Sequence, residues 1–218
     1  ADPTGGLLVV GCGTSALCEE LAADGYPRVL GVDLSASAVD LMRRRAEERG
    51  LTGSVEYQVA DARALPFVRG QLDGVLDKGT LDAAMSDFSA EDATSGLRQA
   101  GALCREAMRV LKRGARFLVV SSVPPEKYKA VLEQLCGGAE PAVQSIPAPE
   151  GGEPVWVYIM TKPGGGPKGF EAALESLLAS ARGLAEEQQS AQAGVAAAAA
   201  NAQKLLGELE AAEAKRDR

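Results

Sequence analysis

The fold of this chain is decided by the run Leu7-Leu8-Val9-Val10-Gly11-Cys12-Gly13-Thr14-Ser15-Ala16. Its first four residues are apolar and predict a short buried strand, and the two glycines behind them predict a sharp turn. Apolar residues then recur at helical spacing from Ser15 to Ala23. A strand, a glycine-rich turn and a helix in immediate succession are typical of the start of a βαβ unit.

The rest of the chain continues this alternation as far as residue 162. The predicted strands are Leu7–Val10, Arg28–Val32, Ser54–Val59, Gly74–Asp77, Arg116–Ser121, Ala142–Ile146 and Val155–Thr161. The predicted helices are Ser15–Ala23, Ser35–Arg49, Glu91–Leu111 and Pro125–Leu135. Alternating strands and helices favour a mostly parallel sheet that is covered on both faces. The link before the last strand is too short for a crossover helix, so that strand is expected to run antiparallel. The sequence therefore predicts an α/β, doubly wound, seven-stranded sheet.

The composition changes after residue 162. The run Pro163-Gly164-Gly165-Gly166-Pro167 can continue neither a strand nor a helix, so residues 163–169 are predicted to be a linker. Residues 170–218 are rich in Ala, Glu, Gln and Leu. We expect a marginal helix or low-complexity tail there; a helix that binds a partner is the alternative. Residues 1–162 form the predicted catalytic domain.

Composition limits the classes of function. The 218-residue chain has a net charge of −7, which argues against sequence-independent binding to nucleic acid. Its four cysteines form no CxxC pair and it has no histidine, so we expect reduced thiols, an intracellular compartment and no structural zinc. We expect no membrane span, and residues 1–4 have no signal-peptide character. A cytoplasmic protein is the expectation, or a mitochondrial one if a targeting segment has been removed.

The glycine-rich turn is a candidate cofactor site. Gly11, Cys12, Gly13 and Thr14 lie where the backbone can approach a polar ligand closely. Asp33 follows the second predicted strand, about 20 residues later, and its carboxylate can accept hydrogen bonds from two ribose hydroxyls. The alternative is a tight turn with a helix-capping aspartate. Since NAD and S-adenosylmethionine both contain ribose, these residues do not separate the two cofactors.

Residues that follow the second and third predicted strands narrow the choice of cofactor. Leu34, next to Asp33, is placed in the same site. Asp61 can accept a hydrogen bond from an adenine amino group, and the backbone N–H of Ala62 can face a ring nitrogen. The chain has neither a histidine nor a Tyr-x-x-x-Lys pair to move protons during hydride transfer. S-adenosylmethionine is therefore favoured over NAD.

A second informative stretch is Val75-Leu76-Asp77-Lys78-Gly79-Thr80-Leu81-Asp82. Three charged residues follow an apolar run at the end of the fourth predicted strand, where ligands of open α/β sheets bind. The stretch thus predicts a reaction site beside the cofactor site. Two purely structural alternatives stay open: Asp77 and Lys78 form a surface ion pair, or Asp82 caps a helical turn.

Four segments resemble one known family. They are the turn at residues 11–15, the run at residues 73–82, Arg109-Val110-Leu111-Lys112-Arg113-Gly114 and Val157-Tyr158-Ile159-Met160-Thr161-Lys162. Together they resemble the class I, seven-stranded, Rossmann-like methyltransferases. Within that class they look like the methyltransferase-like 13 group, which includes lysine methyltransferases acting on translation elongation factor 1-alpha. Members carry a helical segment ahead of the first strand, and we expect that segment to be missing here.

The resemblance implies a protein-lysine N-methyltransferase. Its cofactor would be S-adenosylmethionine, its product S-adenosylhomocysteine, and its partner a protein substrate, with no metal. By the same resemblance, Asp77 is the first candidate to orient the target amine, and Thr80 and Asp82 are further candidates at the entrance. Asp77 is also placed among the cofactor contacts. The alternatives are a small-molecule methyltransferase and a non-catalytic interaction module.

Other charged and aromatic residues are expected to have structural positions. Glu19 and Glu20, and the run Arg43-Arg44-Arg45, are predicted to lie on solvated helix faces. Trp156 and Tyr158 are predicted to pack on the last strand rather than to form a substrate cage.

Overall fold

The computed structural model describes residues 5–86, 93–147 and 153–164. Its strands are β1 (Leu7–Val10), β2 (Val29–Asp33), β3 (Val55–Val59), β4 (Leu72–Lys78), β5 (Leu111–Ser121), β6 (Ala142–Ile146) and β7 (Val155–Thr161). Its helices are α1 (Leu17–Ala23), α2 (Ala36–Glu48), α3 (Thr80–Ser86), α4 (Ala93–Val110) and α5 (Pro125–Leu135). The predicted tail, residues 170–218, and most of the predicted linker lie outside the described residues.

The strands form one sheet in the order β3-β2-β1-β4-β5-β7-β6. Strands β1 to β5 are parallel to one another, and β7 runs antiparallel to both β5 and β6. The predicted doubly wound, mostly parallel sheet with an antiparallel last strand is therefore confirmed. No helix among the described residues is long and apolar enough to cross a membrane.

The register of the sheet brings the two informative stretches to one edge. Val10 of β1 pairs with Val32 of β2 on one side and with Asp77 of β4 on the other. The residues that follow these strands therefore emerge next to one another, at the carboxyl ends of parallel strands. Such an edge is the usual ligand site of an open α/β sheet.

The core next to this edge lies between β4, β5 and β7 and the helices α4 and α5. Phe117, Val119 and Leu132 are buried in it. The rings of Tyr128 and Tyr158 meet edge to face with their centroids 5.3 Å apart, and the Tyr158 hydroxyl donates to the Val123 carbonyl at 2.5 Å. The prediction that Tyr158 packs in the core is confirmed. All four cysteines are buried free thiols.

Two elements differ from the sequence-based expectation. Strand β5 begins at Leu111, earlier than predicted, because Leu111 pairs with Leu72 before an irregularity that contains Gly114. Gly114 has a φ of +74°, which a glycine adopts without strain. The second difference is α3, a short helix that apolar periodicity did not predict. It starts directly after Gly79 and carries Thr80 and Asp82.

Candidate active site

A pocket of about 480 Å³ opens at the carboxyl ends of β1, β2, β3 and β4. This volume is within the range of pockets that bind small molecules. The strand ends and loops contribute Gly11, Asp33, Leu34, Ala60, Asp61, Ala62, Arg63, Lys78 and Gly79, and the helices contribute Thr80, Ala83, Ala84, Gln99 and Leu103. The structure thus brings together five of the residues proposed from sequence for the cofactor, Gly11, Asp33, Leu34, Asp61 and Ala62, with Thr80.

The glycine-rich turn packs directly against α3. Gly11 and Gly13 have φ values of +58° and +50°, the left-handed region that favours glycine. A Cβ atom on Gly11 would overlap the Thr80 hydroxyl, which donates to the Val10 carbonyl at 3.1 Å. A Cβ atom on Gly13 would meet nothing within 4 Å. Gly11 is therefore required for close packing, whereas Gly13 is required for the turn conformation alone.

Asp33 connects the turn to the start of α2. One carboxylate oxygen accepts the Gly13 N–H at 2.8 Å, and the other accepts the Ser35 N–H at 2.9 Å. Ser35 in turn caps α2 by accepting the Ala38 N–H. A carboxylate has about four acceptor sites, so Asp33 can still accept hydrogen bonds from a ligand. These contacts fix the carboxylate at the edge of the pocket.

Asp61 has a partner that the sequence analysis missed. The Arg63 guanidinium reaches both of its carboxylate oxygens, at 2.8 to 3.1 Å, and also donates to the Gln99 side chain at 3.2 Å. Hydrogen bonding to Arg63 lowers the pKa of Asp61. Asp61 is therefore an ionised acceptor on the pocket wall.

A buried ion pair lies behind the glycine-rich turn. Arg45 Nε and Nη2 donate to the two Glu19 carboxylate oxygens at 2.6 Å each. The same guanidinium donates to the Thr14 carbonyl at 3.2 Å and to the Ser15 carbonyl at 3.0 Å. The hydrogen bond to Glu19 raises the pKa of Arg45. We call Glu19, Arg45 and their two backbone acceptors the turn clamp.

The turn clamp corrects the prediction that Glu19 and Arg45 lie on solvated faces. The Glu19 side chain is only 1% exposed and that of Arg45 is 27% exposed. Successive helical residues are rotated by about 100°, so Arg44 stays exposed while Arg45 turns toward α1. Arg45 stands three residues after the buried Met42 and next to the buried Ala46. That spacing was the available signal for its position.

A second ion pair holds the loop that follows Ala62. Arg109 donates to Glu106, and its Nη atoms donate to the Phe67 carbonyl at 2.7 Å and the Leu65 carbonyl at 3.0 Å. Glu106 also accepts the Leu65 N–H at 2.8 Å. We call this arrangement the loop clamp. The sequence analysis quoted Arg109 in a motif but assigned it no role.

Asp77 lies behind the pocket rather than at its mouth. Its side chain is fully buried, and its carboxylate oxygens accept the Leu81 N–H at 3.2 and 3.3 Å. Burial raises the pKa of Asp77 to about 7, and the charge of Asp82 adds to the shift. Asp77 thus fixes the first turn of α3 from within the core.

Asp82 is a half-buried carboxylate at this end of the sheet. It accepts the Ser121 hydroxyl at 2.8 Å, and Ser121, at the end of β5, accepts the Val123 N–H at 3.0 Å. Burial raises the pKa of Tyr128, and the charges of Asp82 and Asp77 raise it further. We call Asp77, Asp82 and Ser121 the acceptor cluster. The sequence analysis did not single out Ser121 or Tyr128, which come from segments far from the motif.

Comparison with known proteins identifies the domain. Residues 7–114 match the family model described as "Methyltransferase domain". The chain is 32% identical over 167 residues to "eEF1A lysine and N-terminal methyltransferase" of Danio rerio, over 73% of this chain and 23% of that protein. It is 36% identical over 125 residues to "EEF1A lysine methyltransferase 4" of Mus musculus, over 56% of this chain and 48% of that protein. The chain spans less than half the length of both relatives.

A solved structure supports the fold. The crystal structure of a SAM-dependent methyltransferase from Methanosarcina mazei superposes with a TM-score of 0.55 at 20% identity, over 72% of this chain and 92% of that one. At this identity the likeness shows the fold alone. The family match and the curated relatives agree, and this chain belongs to the methyltransferase domain family.

Proposed function

We propose that the protein transfers a methyl group from S-adenosylmethionine to the side-chain amine of a lysine in a protein substrate. The observation that carries the proposal is that one short helix, α3, contributes Thr80, Ala83 and Ala84 to the cofactor pocket and carries the half-buried Asp82 on its other face. Thr80 lines that pocket, and Asp82 follows two residues later on the same helix and faces Ser121 of β5. A ligand pocket and a carboxylate that can receive a cation therefore share one short helix.

The pocket fits S-adenosylmethionine. Asp33 is fixed by two backbone N–H groups and would accept the ribose hydroxyls. Leu34, Ala62 and Leu103 supply apolar surface for an adenine ring, and Asp61 supplies an ionised acceptor. Gly11, Cys12, Gly13 and Thr14 of the turn would lie against the amino-acid part. When bound, the cofactor supplies an activated methyl group on a sulfonium sulfur.

The acceptor cluster suits a primary amine. A lysine side chain arrives as an ammonium with a reference pKa near 10.4, and only its neutral form has a lone pair to attack a methyl carbon. Asp82 is half-buried and held by Ser121, so it can accept a hydrogen bond from the amine and orient it. Because Asp77 is fully buried, we assign it the role of fixing α3 through the Leu81 N–H. Thr80, which lines the cofactor pocket, would be a further contact at the entrance for the amine.

The names of the relatives favour a protein substrate over a small molecule. Both are named as methyltransferases of the elongation factor eEF1A, so we propose eEF1A as the first substrate to test. A cytoplasmic location is part of this proposal, since a translation factor would be met there.

The test is methyl transfer from radiolabelled S-adenosylmethionine to purified eEF1A, followed by mass spectrometry of the labelled residue. We expect a methylated lysine with the wild-type chain. Asp82→Asn keeps an oxygen for the Ser121 hydroxyl but loses the negative charge. We expect it to lower the rate at least 100-fold while cofactor affinity stays within twofold of the wild-type value.

The matched control is Glu126→Gln, an exposed carboxylate on α5 near the same end of the sheet. It should leave the transfer rate unchanged. Label on a residue other than lysine, or an undiminished rate in Asp82→Asn, would contradict the proposal.

A further inference from the structure

We propose that Arg45 is a cofactor-positioning residue, which acts through the Thr14 and Ser15 carbonyls to hold the glycine-rich turn in its ligand-binding conformation. Glu19 is its buried counter-charge. The inference rests on the proposed function for the identity of the cofactor. It adds a role for two residues of α1 and α2 that do not line the pocket.

The turn is held from two sides by residues that follow it in the chain. On the pocket side, Asp33 accepts the Gly13 N–H at 2.8 Å. Arg45, which does not line the pocket, donates to the carbonyls of the next two residues, Thr14 and Ser15. A carboxylate thus holds an N–H group and a guanidinium holds two carbonyls. The direction of the peptide groups in the turn is therefore fixed by β2 and α2.

The chemistry of arginine explains why this residue occupies the position. A guanidinium presents five N–H donors in a planar fork, and Arg45 uses the fork for Glu19 and the turn together. A lysine ammonium has three donors on a single nitrogen and cannot reproduce these directions. The arrangement is therefore specific to arginine rather than to positive charge.

Stability alone does not account for the turn clamp. Burying two charges is costly, and apolar residues of similar volume often replace a buried ion pair without loss of stability. Apolar residues cannot, however, hydrogen-bond the two turn carbonyls. A turn that is already in its bound conformation does not lose conformational entropy when the cofactor binds. We therefore expect the turn clamp to matter more for cofactor affinity than for folding.

The experiment compares four variants of the full chain by calorimetric titration with S-adenosylmethionine and by thermal unfolding. Arg45→Met breaks the pair, and Arg45→Lys keeps the charge opposite Glu19. The double variant Glu19→Met/Arg45→Met replaces the pair with apolar side chains. Arg44→Met is the matched control, because Arg44 is the exposed neighbour of Arg45 on α2.

We expect the double variant to unfold within a few degrees of Arg44→Met and yet to bind S-adenosylmethionine at least tenfold more weakly. In turnover assays its KM for the cofactor should rise while kcat is unchanged. Arg45→Lys, which keeps the charge pair and therefore the fold, should weaken binding at least threefold.

Two results would overturn the inference: a double variant that binds as tightly as Arg44→Met, or an Arg45→Lys variant with wild-type affinity. A wild-type chain that does not bind S-adenosylmethionine would instead overturn the proposed function. The wild-type titration therefore separates the two failures.

Discussion

The two ends of the site are built from different kinds of contact. On the cofactor side, at β1 to β3, Arg–Glu pairs hold the loops through backbone carbonyls, as the turn clamp and the loop clamp do. On the acceptor side, at β4 and β5, neutral groups hold the carboxylates: a backbone N–H holds Asp77 and a hydroxyl holds Asp82. In the part of the chain that the structure describes, arginine holds the loops of the cofactor side, whereas neutral donors hold the two carboxylates of the acceptor side.

This difference in contacts matches the function proposed for each side of the site. A cofactor pocket receives one ligand of fixed shape, so rigid loops raise affinity by lowering the entropy lost on binding. An acceptor site must attract a cation and then lower its tendency to stay protonated. Asp82, which is held by a hydroxyl rather than by a cation, has acceptor sites left for the incoming amine, and the positive sulfonium of the bound cofactor would favour the neutral form of that amine.

The largest expected effect is on the cofactor side. Arg45→Met leaves the Glu19 carboxylate buried without its counter-charge, and breaking such a pair costs about 3–5 kcal/mol. We expect the free energy of unfolding, from denaturant titration, to fall by that amount. A loss below about 1 kcal/mol would mean that the turn clamp is not a buried pair in solution.

The next effect is a pH dependence on the acceptor side. The folded protein holds a proton on Asp77 up to about pH 7, whereas the unfolded chain loses it near the ordinary value of 3.8. The stabilisation from Asp77 is therefore full below about pH 4 and is lost as the pH rises through 7. Each unit of pKa shift corresponds to about 1.4 kcal/mol, so the change amounts to roughly 4 kcal/mol.

Asp77→Asn tests this pH dependence directly. The variant cannot titrate at this position, so its free energy of unfolding should lose the decline between pH 4 and 8 that the wild-type chain has. An identical decline in both proteins would show that another group is responsible. We also expect slower methyl transfer in the variant, because Asp77 fixes α3.

A smaller effect concerns the ribose contact. Asp33→Ala removes the acceptor of the Gly13 N–H and the proposed acceptor of the ribose hydroxyls. Loss of such hydrogen bonds should weaken S-adenosylmethionine binding by about 1–3 kcal/mol. Calorimetry measures it, with Asp40→Ala on the exposed face of α2 as the control. Equal affinity of Asp33→Ala and the wild type would refute the ribose assignment.

The smallest effect should come from Ser121→Ala. The substitution removes one hydroxyl donor to Asp82 and is worth about 1 kcal/mol. Since Ser121 orients Asp82 without a proposed contact to the cofactor, we expect the KM for the protein substrate to rise several-fold at unchanged KM for S-adenosylmethionine. A change in the cofactor KM alone would show that Ser121 acts on the cofactor pocket and would contradict its assignment to the acceptor side.

Local sequence predicted most of the fold. Leu7–Val10 is an uninterrupted apolar run, Val155–Thr161 is apolar up to its last residue, and α5 begins at Pro125 with clear helical spacing. The antiparallel last strand followed from the length of a single link. Helix α3 was not predicted because contacts of Asp77 and Thr80 hold it in place, and those contacts are not visible in the local apolar pattern.

The site residues likewise divide into those that local sequence predicted and those that depend on contacts between distant segments. Pocket residues such as Asp33 and Asp61 follow strands directly, so strand prediction was enough to propose them. The turn clamp and the acceptor cluster depend on contacts between distant segments, 26 residues apart for Glu19 and Arg45 and 39 for Asp82 and Ser121. The spacing of Arg45 from Met42 indicates that it faces inward, but its partner Glu19 lies on another helix, which local sequence does not specify.

The most direct measurement is calorimetric titration of the purified chain with S-adenosylmethionine and, separately, with NAD. Both ligands contain ribose and adenine, so the comparison tests the identity of the cofactor rather than the presence of a nucleotide pocket. We predict micromolar binding of S-adenosylmethionine and no measurable binding of NAD. Binding of NAD alone, or of neither ligand, would contradict the assignment of the pocket.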